Sequence, residues 1–139
     1  MIIKVSSIFP ADRETVFQKL QEIETLRYIC SPLATFTPLG DNLKWNAGAI
    51  FRFDLTACGL KFGMHTINVK RFDIDKILTH EHNKNVPVWN HYITLEKHGK
   101  NMTKYTDIVD VRAGWKTPFI WLWANVFYRH RQRKWRELL

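Results

Sequence analysis

With 139 residues and 45% apolar residues, the chain has the size of one ordinary domain, 1–139, and folding at this length buries roughly two-thirds of the unfolded surface, so a core needs no staples. Its two cysteines, Cys30 and Cys58, fit no metal or redox spacing, which excludes a zinc-ribbon or disulfide scaffold. The opening MIIKVSSIFPADRE turns polar too soon for a signal-peptide core, so a cytoplasmic protein with reduced thiols is expected.

Residues 2–9, rich in β-branched side chains, predict a first strand. Pro10 ends it, and Asp12 stands where a helix start wants a cap. Val16, Phe17, Leu20 and Ile23 then fall on one helical face. A second short helical turn is expected at 25–29, stopped by Ser31-Pro32. Turns follow at Gly40-Asp41-Asn42 and at 46–48. Strands are predicted at 50–57, from the Cys58-Gly59 turn to Arg71, at 76–82, at 88–97 and at 102–112. The short polar connections between them, notably His98-Gly99-Lys100-Asn101, make consecutive hairpins, hence an antiparallel meander.

After Gly114 comes Thr117-Pro118, a cap and first-turn pair, and no Gly or Pro follows to Leu139. The resulting helix starts apolar nearly all round (FIWLWANVFY), which predicts burial on several sides. It ends amphipathic (RHRQRKWRELL), with Phe127, Arg131, Trp135 and Leu138 on one stripe. Arg131 interrupts that stripe, so burial of its stem alone is expected. The apolar run is about half the roughly twenty residues that a membrane span requires, so no stable membrane insertion is expected. A long helix of this kind needs a concave sheet to lie in.

The net charge of +8 is concentrated at the end: Lys116, Arg129, Arg131, Arg133, Lys134 and Arg136 against Glu137. Such a cluster can attract nucleic acid or an anionic membrane. The favoured reading is a solvated helix face with cations at the negative end of its dipole, which makes nucleic acid an unlikely partner.

The order strand, two short helices, several strands and one long helix resembles the START-like or Bet v 1-like superfamily, also called SRPBCC or helix-grip, in its small bacterial polyketide-cyclase and ligand-binding type. Three stretches carry the resemblance: IFPADRETVFQKL at 8–20, WNHYITLEKHGKNMTKYTDIVD at 89–110, and FYRHRQRKWRELL at the end. The first departs from the commoner Ala-Pro order by reading Pro10-Ala11. The resemblance implies an α+β helix-grip fold, a curved antiparallel sheet of about six or seven strands around the C-terminal helix. It also implies a cavity between the two for a lipid, sterol, polyketide or other apolar molecule. Some members are cyclases or dehydratases, and the fold does not choose among these roles.

Candidate wall residues are Phe51, Phe53, Leu55, Phe62 and Met64, on alternating positions of two neighbouring strands, with Trp89, His91, Trp123 and Phe127. For any single one of them core packing is the plainer reading. His91 alternates with Trp89, Ile93 and Leu95 onto one face, where an imidazole can orient a ligand's polar end or act as acid or base. Asp107 and Asp110 lie on opposite faces of the next strand, so at most one points inward. His80 and His82 share a face and, with His91 in a suitable register, would make a zinc site. Surface histidines are the plainer reading, and neither a metal nor a cofactor is assigned. The expected function is binding of a small apolar or amphipathic molecule. The alternatives are a cyclase- or dehydratase-type enzyme using His91, and a basic surface for nucleic acid or anionic membrane.

Overall fold

The computed structural model describes residues 1–40 and 44–139. Among the described residues seven strands form one curved antiparallel sheet: β1 (Ile2–Phe9), β2 (Ala34–Pro38), β3 (Ile50–Ala57), β4 (Leu60–Phe72), β5 (Lys76–His82), β6 (Val88–Lys97) and β7 (Thr103–Arg112). Their order is β1-β7-β6-β5-β4-β3-β2. β3 to β7 are the expected meander, β2 extends it at one edge, and β1 returns to pair with β7. Because β1 and β2 lie at opposite edges, the chain must cross the sheet between them. It does so through α1 (Arg13–Leu20) and α2 (Ile23–Cys30). The Asp12 carboxylate accepts the Thr15 amide at 2.8 Å, the cap its position suggests. The turn expected at Gly40-Asp41-Asn42 lies, beyond Gly40, outside the described residues.

The sequence pattern does not announce β2. Its five residues start just after Pro32-Leu33 and end on Pro38, too short for a clear period. The alternation is nevertheless present, with Ala34 and Phe36 buried and Thr35 and Thr37 exposed. Pro38 is tolerated at the end of an edge strand, where its missing donor is not needed.

The β3–β4 hairpin turns through Cys58 (φ 52°) and Gly59 (φ 79°), both left-handed as a two-residue hairpin loop requires. Farther along, Leu55 pairs with Gly63 but Thr56 pairs with Lys61, so Phe62 is an extra residue on β4. Gly63 takes the left-handed conformation, φ 73°, that such a bulge commonly uses. The bulge reverses the alternation of β4. Phe62 lies on the concave side, and beyond the bulge His65, Ile67 and Val69 take that side.

The last helix, α3 (Thr117–Leu138), packs on β1, β7 and α2. Its buried residues, Ala124, Phe127, Tyr128, Arg131, Gln132 and Trp135, repeat at helical spacing. Two expectations for this helix are corrected. Thr117 is its first residue and not its cap; the hydroxyl accepts from Ala113 N–H at 2.8 Å and donates to Gly114 O at 2.7 Å, closing a single 3-10 turn (Gly114–Lys116). The apolar first half is also not buried all round. Phe119, Leu122 and Val126 are mainly exposed, as is Trp115 just before the helix, because these turns run past the filled part of the core. The tight burial is in the second half, where Trp135 stacks with Phe9 and packs against Tyr105. No helix among the described residues is long and apolar enough to cross a membrane.

Candidate functional site

Between the concave face and α3 lies a cavity of about 310 Å³, within the usual range for small-molecule pockets. Its wall is mainly apolar: Leu55 and Ala57 from β3, Phe62 and Ile67 from β4, Ile77 from β5, Trp89 and Ile93 from β6, and Ile120, Trp123, Phe127 and Tyr128 from α3. Leu20 and Leu26 close it from the two short helices. Leu60 and Phe119 face the cavity and are also largely solvent-exposed, so they stand at its rim. Nearby, the Trp123 indole N–H points to Cys58 Sγ at 3.1 Å, joining the β3–β4 turn to the helix.

Of the residues picked from sequence, Leu55, Phe62, Trp89, His91, Trp123 and Phe127 all reach this cavity. Phe51 and Phe53 are on the same face of β3 and are buried, but they pack in the core, Phe51 against Trp45 and Phe53 against Phe36. Met64 is corrected outright. It lies on the outer face, 54% exposed, because the bulge at Phe62-Gly63 puts Phe62 and Met64 on opposite sides despite their spacing of two.

The polar part of the wall comes from Thr25, His65, Thr79, Glu81, Asn83, His91 and Arg131. Most of it is one connected array. Asn83 Oδ1 accepts the Asn85 and Val86 amides, both at 2.9 Å, so its NH2 is the group 3.0 Å from His65 Nδ1. His65 Nδ1 is thereby the acceptor, and Nε2 donates to Glu81 Oε1 at 2.8 Å. The second Glu81 oxygen accepts the Thr79 hydroxyl at 2.7 Å and lies 3.8 Å from His91 Nδ1. His91 Nε2 meets Asp107 Oδ1 at 2.6 Å. Behind it, Gln132 donates to Asp107 Oδ2 at 3.0 Å and to Val5 O at 2.7 Å, and accepts from Ser7 at 2.6 Å.

Carboxyl groups on both sides set the state of His91. Burial opposes its charge, but Asp107 and Glu81 outweigh that and raise its pKa from the ordinary 6.5. Burial likewise works against the Glu81 carboxylate, yet the contacts with His65 and His91 hold it below the ordinary 4.5. The Tyr128 hydroxyl, raised well above 10 by burial, accepts from Trp89 Nε1 at 2.9 Å. Cys30 is a buried thiol pushed up to about 11 by burial, without the activation a nucleophile needs.

His65, Glu81 and Arg131 are site residues that sequence reasoning misses. His65 cannot be placed without the bulge. Glu81 is overshadowed by His80 and His82, which flank it; those two are exposed on the outer face, whereas His91 is inside. The three imidazoles therefore do not converge. Asp107 is the inward acid of its pair, and Asp110 lies outside with the N-terminal amine at 3.4 Å and Arg112 at 3.0 Å. Arg131 is buried head and stem, at 7% exposure, with its guanidinium carbon 5.0 Å from the Tyr128 ring centre. Of the other terminal cations, Lys134 sits over Tyr28 at 4.0 Å, while Arg129, Arg133 and Arg136 are exposed.

No protein-family model and no curated protein sequence matches the chain. Solved structures do. A Chromobacterium violaceum protein superposes with a TM-score of 0.79 at 11% identity, covering 99% of this chain and 95% of its own. A START superfamily protein from Mycobacterium smegmatis gives 0.76 at 14% identity, with 98% and 94% covered. Ara h 8.0201 gives 0.62 at 9% identity, with 96% and 97% covered. At these identities the likeness concerns architecture: the chain has the START-like, Bet v 1-like helix-grip fold, as its sequence suggests.

Proposed function

We propose that this protein binds a small apolar or amphipathic molecule in the cavity between the sheet and α3. The observation that carries the reading is the cavity's wall, in which side chains from five strands and three helices enclose space that the aromatic-rich core leaves unfilled. Unfilled apolar volume is unfavourable to a folded protein, and an apolar guest recovers those contacts. Apart from Arg131, most of the neighbouring polar groups are tied to one another, so the guest is held mainly by apolar burial, about 25 cal/mol per Å² removed from water.

Nile red, a neutral dye that brightens in apolar surroundings, tests this directly. The native protein is expected to bind it with 1:1 stoichiometry. Leu55→Trp, which projects an indole into the cavity, should remove most of that binding while the protein stays folded by circular dichroism. Equal binding by both proteins would sink the proposal.

A second reading, an enzyme of cyclase or dehydratase type with His91 as proton donor, is favoured by one feature: an imidazole of raised pKa on the cavity wall between two carboxyl groups. Loss of turnover in His91→Gln with ligand binding retained would favour it. A basic docking surface gains less support, since Arg131 is interior and Lys134 is occupied by Tyr28.

A further inference from the structure

We propose that the cavity's ligand carries a carboxylate on an apolar chain or ring, and that Arg131 receives it. The inference rests on the cavity being the binding site and adds the chemical class of its occupant. Arg131 lines the cavity and is buried. Its Nε, fully enclosed, has no hydrogen-bond partner. The guanidinium lies over aromatic rings, 5.8 Å from the centre of Phe127 and 5.0 Å from that of Tyr128. A ring face attracts a cation but supplies no acceptor along the N–H directions.

The acids that could have served are already taken. Glu81 has His65 and Thr79 on its two oxygens at 2.8 and 2.7 Å. Asp107 has His91 and Gln132 at 2.6 and 3.0 Å. The close contacts of both acids with basic side chains run to histidines. Arg131 is therefore the one cavity-lining cation among the described residues without a hydrogen-bonded acid. Asp107 acts on Arg131 only through its field; a buried charge without a hydrogen-bonded partner is costly, and arginine cannot escape by losing its proton. Its planar fork matches a carboxylate with two parallel N–H···O bonds, stronger than neutral hydrogen bonds. With most of the other polar groups of the wall bonded to one another and the remainder apolar, the matching guest has one anionic end and an apolar body.

The test is calorimetric titration of the intact protein with octanoate, octanol and octylammonium, which share one chain and differ in the head. Octanoate should bind about tenfold or more tighter than octanol, the worth of a charge-assisted hydrogen-bonded pair, and octylammonium weakest. Arg131→Met should abolish the preference of acid over alcohol, and Arg131→Lys should keep part of it. The comparison of heads on the native protein needs no variant, so a misfolded variant does not spare the inference. Octanol binding as tightly as octanoate, or the acid preference surviving in folded Arg131→Met, would overturn the carboxylate assignment and leave the cavity reading standing. No binding of any of the three, together with no binding of Nile red, would overturn both.

Discussion

Under the last turns of α3 the molecule is solid, and under the first turns it is hollow. In the solid region Phe9, Tyr105 and Trp135 stand with ring centres 4.8 to 5.7 Å apart. Gln132 ties the helix to β1 and β7 through Val5 O, Ser7 and Asp107. In the hollow region Phe119, Ile120, Trp123 and Phe127 line a space that no side chain fills. Both regions are built from the same residue types, aromatic rings on one helix facing a sheet. What separates them is which strands stand opposite. β1 and β7 contact α3, whereas β3, β4 and β5 contribute wall to the cavity. Aromatic content alone does not say whether a helix-grip interior is core or pocket; which strands touch the helix does.

The largest effect is expected in the solid region. Asp107→Ala removes the partner of the buried His91 and of Gln132 at once, and breaking a buried charged pair typically costs about 3–5 kcal/mol. Urea denaturation should show that loss. Asp110→Ala, three residues along on the outer face with an exposed pairing, should change stability by less than about 1 kcal/mol. Similar losses at the two positions would mean that the inner array is not a stability element.

Much of this contrast is legible in the sequence, and the rest is hidden for identifiable reasons. Alternation in β6 puts Trp89, His91, Ile93 and Leu95 on the inner face, and all four are buried there. The turn residues place the hairpins. The β-bulge is not legible, since Gly63 reads like any glycine in a strand; without it Met64 falls inside and His65 is passed over. The helix reads end for end the wrong way. Its more hydrophobic half is the less buried one, because composition reports what a residue tolerates and not what the sheet places against it. The general habit of arginine gives Arg131 a solvated head, which its lack of a surface outlet overrides.

The interior array that joins the cavity wall to the solid region also makes the fold sensitive to pH in a definite sense. His91 has a raised pKa, so its contribution is fully present below its unfolded value of 6.5 and is lost as pH rises through the folded value. Glu81 has a depressed pKa, so its contribution is present above 4.5 and is lost as pH falls through the folded value. Stability should therefore peak between these limits and decline on both sides. A tenfold difference in proton affinity between the folded and unfolded chain is worth about 1.4 kcal/mol, enough to see in urea midpoints. Those midpoints, measured across pH, should trace this dome, and His91→Gln should flatten its alkaline side. An unchanged alkaline slope in that variant would place the titrating group elsewhere.

The smallest stability effect is expected at the rim of the hollow region. Leu60 and Phe119 are exposed at 66% and 69%, so truncating either to alanine removes little buried surface and should shift stability within about 0.5 kcal/mol. The same residues border the opening, and a guest must pass them. Phe119→Ala should therefore speed Nile red dissociation in stopped-flow measurements while its equilibrium affinity changes less than in Leu55→Trp. The two variants then separate what the hollow region does from what keeps it folded: the rim governs passage, and the wall governs affinity. If Phe119→Ala leaves the dissociation rate untouched, the route into the cavity lies on another side, and Leu20 and Leu26 of the short helices become the next positions to truncate.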